Sequence, residues 1–389
     1  MENLSYRMFK KGLRRCLRTK PLVALAFGAF IFTACDVIDG YHAAQEPVVP
    51  HPPLPSVKLS FVGDIIFGRF RDANYRVVSE DPLAEIAPFL SADITVANVE
   101  TPLVRELRSA RKEESPNTFG AAAFWAERLK AAGITAATIA NNHAFDMGRK
   151  GINETPAILK ENGITPLGAS LAEGPTFRIE LIKHPRLRIG AVSATTVRNV
   201  PQRNTPEMLP YTTLNGLVDS IGPLLEANRH DYHLLLVLVH WGAEYAWRPN
   251  RLQQRTARAL IDSGADMVIG HHPHVLQGIE SYGDGLIAYS LGNFVFDNVS
   301  PDPPYTGILT VETALGDTCL QSASFRPVFI TPAPDHHPIP ADSTEYDLIR
   351  SRMTMLSAEL GTELRDSSGT LVVDLDACAS HAGASGAVQ

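Results

Sequence analysis

Apolar positions along this chain fall into short continuous runs separated by polar, glycine-containing segments. The first, "VKLSFVGD", alternates apolar and polar residues and stops at a glycine and an acid. Beyond it, "DITVANVE" (93–100), "TAATIANN" (135–142), "LRIGAVS" (187–193), "HLLLVLVHWG" (233–242) and "ADMVIGHH" (265–272) read as strands. Between them "AAAFWAERLKAAG", "GRKGINETPAILKENG" and "NRLQQRTARALIDSG" read as helices, each ending near a glycine suited to a C-cap. Continuous apolar strands alternating with helices predict an α/β domain with at least partly parallel sheets. The later runs "GLIAYSLGNFVF", "TGILTVETAL" and "ASFRPVFI" have no helix between them and predict a meander or a second sheet. The proline-rich "RPVFITPAPDHHPIP" then leads to an amphipathic helix near 344–361 and a last strand, "TLVVDL". The tail, 379–389, has the composition of a disordered end.

The N-terminal 35 residues follow another pattern. "YRMFKKGLRRCLRTK" holds seven Lys or Arg and no acid, and the apolar run "PLVALAFGAFIF" (21–32) follows it. That run is short for a bilayer span and has the length of a signal-peptide core. Thr33 and Ala34 then precede Cys35, a junction like a bacterial lipobox, in which the cysteine carries lipid; Phe32 stands where leucine is usual. An ordinary cleaved signal or an uncleaved anchor are the alternatives, and Arg14–Arg15 also admits twin-arginine export. Each of these puts the body outside the cytoplasm; lipid on Cys35 or an uncleaved anchor would also hold it to the membrane, at the periplasmic face of the inner membrane in a Gram-negative cell. Residues 36–56 are proline-rich and aperiodic, the composition of an extended tether.

Export changes the charge balance. Loss of residues 1–34 removes seven positive charges and one negative, leaving 28 Lys and Arg against 41 Asp and Glu. So acidic a body argues against nucleic acid as a partner, because binding there rests on clustered cations. Export also changes the reading of the cysteines. With Cys16 in the signal and Cys35 lipidated, Cys319 and Cys378 remain as a candidate disulfide, or as two buried thiols.

Candidate chemistry lies where the strands stop. Five runs end in, or next to, a possible metal ligand: Asp64, Glu100, Asn142 with His143, His240, and His272 with His274. In α/β sheets ligands gather at the carboxyl ends of strands, so residues far apart in sequence can share one face. A histidine pair one residue apart in an extended segment would project both rings to one side, and Pro273 favours an extended residue before it. Taken alone, that pair could equally be a polar turn. Oxygen and imidazole donors without a thiolate suit Mn, Fe or Zn and disfavour a structural zinc knot. Trp241 reads as core, His271 as a loop residue or a neighbour of the ligands, and His336 and His337 as solvated.

Six motifs, "FVGDIIFGR", "NVETPL", "ANNHAFDMG", "HWGAEY", "GHHPHVLQG" and "YSLGNFVFD", occur in that order. Together they resemble the bacterial capsule-synthesis CapA family of poly-γ-glutamate biosynthesis proteins, which is related to the calcineurin-like metallophosphoesterases. The resemblance covers roughly residues 57–300. It implies a four-layer α-β-β-α sandwich over 57–332, a C-terminal helix and strand over 333–378, and two divalent ions at one edge. On that likeness Asp64 would contact the first metal and Glu100 would bridge both. Asn142, His240 and one of His272 and His274 would hold the second, and the other histidine would close the first. His143 would match a histidine that protonates a leaving group, oriented by Asp146. Arg69, Glu244 and Asn293 complete the candidate substrate site. Arg69 would neutralise an anion, Glu244 would steady His240, and Asn293 would fix a loop or touch substrate.

Two departures bear on chemistry. The phosphoesterases begin Asp-x-His, whereas Asp64 is followed by Ile65 and Ile66, and their bridging aspartate is replaced by Glu100. Phosphatase activity therefore does not follow from the likeness. The implied partners are an anionic polymer or phosphoester substrate, a membrane reached through the N-terminal lipid, and components of an exopolymer synthesis complex. Two functions stay open: a part in capsule or poly-γ-glutamate synthesis or export, or a metal-dependent hydrolase of phosphoester or γ-glutamyl bonds.

Overall fold

In a computed structural model the described residues are 56–68, 81–107, 118–168, 176–199, 209–296, 304–314, 319–332 and 335–375. The expected signal segment, nearly all of the tether, Cys35, Arg69, Cys378 and the tail lie outside them. From the start the chain forms β1 (Ser56–Ile65), β2 (Ile94–Val99), β3 (Leu103–Val104), β4 (Ala121–Ala122), α1 (Trp125–Ala131), β5 (Ala136–Thr138) and α2 (Gly148–Glu161). Then come β6 (Thr165–Leu167), β7 (Glu180–Ile182), β8 (Ile189–Thr195), α3 (Leu217–Asn228), β9 (Leu234–His240), α4 (Arg251–Asp262) and β10 (Met267–His271). The remainder is β11 (Ile279–Tyr282), β12 (Gly285–Ala288), β13 (Asn293–Val295), β14 (Tyr305–Ala314), β15 (Leu320–Ile330), β16 (Pro338–Pro340), α5 (Ser343–Ala358), β17 (Leu364–Ser367) and β18 (Thr370–Val373).

Among the described residues these strands make two main sheets. The larger runs β17-β18-β15-β14-β1-β2-β5-β6, with β13 beside β1 and β16 beside β15; the smaller runs β11-β12-β10-β9-β8-β7. β1, β2, β5 and β6 pair in parallel, as do β8, β9, β10 and β12. The expected meander holds for β14 and β15, which are antiparallel. It fails for "GLIAYSLGNFVF": β12 joins the small sheet beside β10, and β13 crosses to the large sheet beside β1.

β9 shows why its sequence is apolar throughout. Leu234, Leu236 and Leu238 face a cluster shared with Phe61 and Val96 of the large sheet, while Leu235, Val237 and Val239 face Ile221 and Leu225 of α3 and Leu260 of α4. A strand covered on both sides has no polar face to show. The large sheet covers its other side with α1 and α2, where Val99 packs with Leu129 and Ile158. α3 breaks the expected pattern because Gly222 and Pro223 interrupt its middle. Gly222 allows a close approach there: a Cβ would sit 3.1 Å from Ser263 Oγ just past the end of α4. α5 starts at a capping box in which Asp342 accepts from Thr344 and Glu345 and Glu345 returns to the Asp342 amide.

Alternation also aims the strand ends. His240 and His271 continue the inward positions of β9 and β10 and are register partners. Asn98 continues the inward face of β2, and Asp64 pairs in register with Asn98 and with Asn293 of β13. A register shift between Phe61 and Asp64 turns the end of β1 toward the space between the sheets. That approach depends on glycine, since a Cβ on Gly63 would collide with the backbone of Gly292, whose φ is +70°.

Candidate metal centre

The carboxyl ends of β1, β2, β9 and β10 bring Asp64, Glu100, His240, His271 and His272 together, all buried. Asp64 is the most heavily bonded. Its Oδ1 accepts from Asn98 Nδ2 at 2.8 Å and its Oδ2 accepts from the His272 amide at 3.2 Å. His271 Nδ1 and His274 Nδ1 each lie 3.2 Å from an Asp64 oxygen. Burial would raise this carboxyl, but the His271 and His274 rings outweigh it and hold Asp64 well below the ordinary value.

Glu100 is the opposite case. It is fully buried, and neither carboxylate oxygen has a hydrogen-bond partner. Burial first, and the Asp64 charge second, push it well above the ordinary carboxyl value. Ligand atoms of Glu100, His240 and His272 lie within 4.8 Å of one another, and so do those of Asp64, Glu100 and His274. Glu100 is common to both triads. A buried carboxylate without a donor is costly. Burial and then the His272 ring hold His240 well below its usual value; burial and then His274 bring His272 to about 3. His274 goes the other way, to about 9, because Glu100 and Asp64 outweigh its burial. These donors fit divalent cations: oxygen and imidazole, two overlapping triads, and an orphaned carboxylate between them.

Asn142 Oδ1 lies 2.7 Å from His240 Nε2, so it stands in the same group. His143 Nδ1 is 2.7 Å from Asp146 Oδ2, and His143 Nε2 is 3.8 Å from Glu100 Oε1. The Phe119 ring stacks on His143 at 3.9 Å, and its amide donates to Asp146 at 2.7 Å. A ring held on one edge and one face presents its second nitrogen toward the centre.

Among the other candidates, Asn293 Oδ1 is 2.9 Å from His274 Nδ1 and so orients that ring. Glu244 is exposed and groups with His272 and His274, within 4.8 Å of their nitrogens. Trp241 is core, donating to the Tyr289 carbonyl at 3.1 Å. His271 ends β10 rather than lying in a loop. The extended geometry expected for the HxH pair is wrong: His272 and His274 have φ of +98° and +59°, because β10 stops at His271 and the chain turns. The two rings therefore join different Glu100 triads, and they meet only in the group with exposed Glu244. His337 is not solvated; its ring nitrogens lie 3.1 Å from Thr331 Oγ1 and 3.2 Å from Glu85 Oε1. Cys319 is disulfide-bonded.

Sequence reasoning missed three amides. Asn98 Nδ2 also lies 3.3 Å from His240 Nδ1, tying the two sheets together at the site. Asn141 Nδ2 donates to Asn98 Oδ1 and to the Val99 carbonyl. Asn199 Oδ1 accepts from Asn142 Nδ2 at 3.1 Å, and its own Nδ2 is 3.3 Å from His143 Nδ1. A signal existed for Asn98, an amide in an otherwise apolar, fully buried strand.

The model of the bacterial capsule synthesis protein family, PGA_cap, matches residues 58–298. The capsule biosynthesis protein CapA of Bacillus anthracis is 30% identical over 298 residues, covering 74% of this chain and 70% of that one. The PGA biosynthesis protein CapA of Bacillus subtilis is 31% identical over 297 residues, covering 74% of each. A solved phosphatase from Mycoplasma pneumoniae is similar at TM-score 0.44 and 14% identity, over 70% of this chain and 94% of that one, too distant to bear on function.

Proposed function

Because the chain belongs to the bacterial capsule synthesis protein family, we propose that it acts in the synthesis or export of an anionic exopolymer such as poly-γ-glutamate. It would do so outside the cytoplasm, anchored through its N-terminal segment, with two divalent ions at the strand ends. No helix among the described residues is long and apolar enough to cross a membrane, so anchoring would fall to lipid on Cys35 or to the N-terminal segment itself. The three large apolar clusters among the described residues support a four-layer α-β-β-α sandwich of the metallophosphoesterase type.

The observation that carries the metal reading is Glu100, a buried carboxylate with no donor at the junction of two ligand triads. Asp64 and His274 would hold one ion, with His240, His272 and Asn142 holding the other and Glu100 bridging. Bound there, such ions supply Lewis acidity and a bound water of lowered pKa. The chain's own part is orientation. Asn98 fixes Asp64 against His240, Asn293 fixes His274, and Asp146 with Phe119 fixes the His143 ring.

His143 favours a second reading, a hydrolase of phosphoester or γ-glutamyl bonds. With Nδ1 on Asp146, its Nε2 can carry a proton to a leaving group beside Glu100. Deletion of the gene in its own host, complemented with wild-type, His240→Ala or His143→Ala chains, tests both readings. Loss of surface anionic polymer that wild type restores and His240→Ala does not is the expected result. Restoration by His143→Ala would leave a metal role without hydrolysis. Polymer unchanged by the deletion would overturn the first reading.

A further inference from the structure

The metal centre does not account for Arg198. Its guanidinium lies 4.3 Å from the centre of the Tyr211 ring, and its Nη1 is shielded from solvent with no hydrogen-bond partner. A ring face attracts the cation but gives its in-plane N–H donors no acceptor. The frame beneath this pair is held by the Thr195 hydroxyl and the local backbone. Thr195 Oγ1 donates to the Val197 carbonyl at 2.7 Å, the Val197 amide donates back at 3.1 Å, and Tyr211 is bridged to Thr195 at the end of β8. The next residue, Asn199, reaches the centre itself, touching both Asn142 and His143.

Shielding a charged donor without an acceptor is costly, so a native chain that keeps one calls for an explanation. The centre holds a second orphan in Glu100, a buried carboxyl without a donor. Resting on the reading that this centre binds metal, we propose that Arg198, braced by Tyr211, clamps an oxyanion of the substrate beside the metal-bearing side chains. The ligand class is a phosphate or carboxylate group, which the planar guanidinium fork can bind through two parallel hydrogen bonds. A lysine would keep the charge and lose the fork.

Inorganic phosphate and a γ-linked glutamate oligomer are the probes, titrated calorimetrically into the full metal-loaded chain. Arg198→Gln should weaken at least one probe about tenfold or more, with Arg198→Lys recovering only part and bound metal unchanged in both. A response to phosphate alone assigns the clamp to a phosphoester, and a response to the oligomer alone assigns it to γ-glutamyl carboxylates. Binding of neither probe by wild type, or affinities unchanged by both substitutions, overturns the clamp. If wild type takes up no metal, the metal reading falls separately, and the same affinity ratios on the metal-free chain decide the clamp. Should Arg198→Gln fail to fold, Arg198→Lys carries the test, with a several-fold loss expected and an unchanged affinity fatal.

Discussion

Replacing Glu100 with glutamine should stabilise the metal-free protein and abolish its response to metal, two effects of opposite sign from one change. In the metal-free chain, burial and then Asp64 push the Glu100 carboxyl well above its ordinary value. The ionised form is therefore penalised in the folded state. That group's contribution is fully present below the unfolded value near 4.5 and is lost as pH rises through the raised folded value. Glutamine keeps the shape and removes the charge. If the difference between a charged and a neutral orphan is about 1–3 kcal/mol, at roughly 2 °C per kcal/mol for a large domain the metal-free variant melts about 2–6 °C above wild type near neutral pH. The gap should close toward pH 4. Metal acts in the other direction: an ion at a hundred times its Kd stabilises wild type by about 2.7 kcal/mol, or roughly 5 °C, and leaves the variant unmoved. Thermal scans across that pH range, with and without Mn²⁺, read both effects. A variant that melts below wild type without metal, or still gains several degrees with it, would refute the reasoning.

Three further outcomes follow from the same geometry. His274, raised to about 9, is protonated at neutral pH in the metal-free chain. Metal uptake should therefore release about one proton from it, measurable by calorimetry in buffers of different ionisation enthalpy. Its share of metal-free stability is present below the unfolded value of 6.5 and should be lost as pH rises through about 9. Gly63→Ala would drive a methyl group into the Gly292 backbone, costing about 1–3 kcal/mol in a denaturant titration and weakening metal uptake together with it. Thiol labelling of the unreduced, denatured chain should find Cys319 blocked; with Cys378 as the expected partner, closure of the loop contributes up to about 4 kcal/mol. Labelling at both positions would exclude that pairing.

The parallel strands were legible because residues buried on both faces read as unbroken apolar runs, and their ends announced Asp64, His240 and the histidines after β10. Glu100 was legible as a candidate ligand, but its orphaned state was not, since that depends on which donors other elements fail to bring. The HxH argument picked out His272 and His274 by a wrong geometry. It assumed extended backbone, while His272 and His274 turn through positive φ and join different Glu100 triads. Asn141 and Asn199 were invisible because their partners, Asn98, Asn142 and His143, are set by tertiary contacts across 43 to 57 residues of sequence. α3 was hidden by Gly222 and Pro223; Gly222 lies against the end of α4, and nothing in the structure explains Pro223.

Metal content per chain is the most direct measure of the central claim. After reconstitution with Mn, Fe or Zn and removal of free ion, elemental analysis should find two ions per wild-type chain. Both should be lost in Glu100→Ala, and one or both in His272→Ala, while each variant keeps a cooperative thermal transition. A wild-type chain that holds no transition metal, or a Glu100→Ala chain that still holds two, would contradict the account.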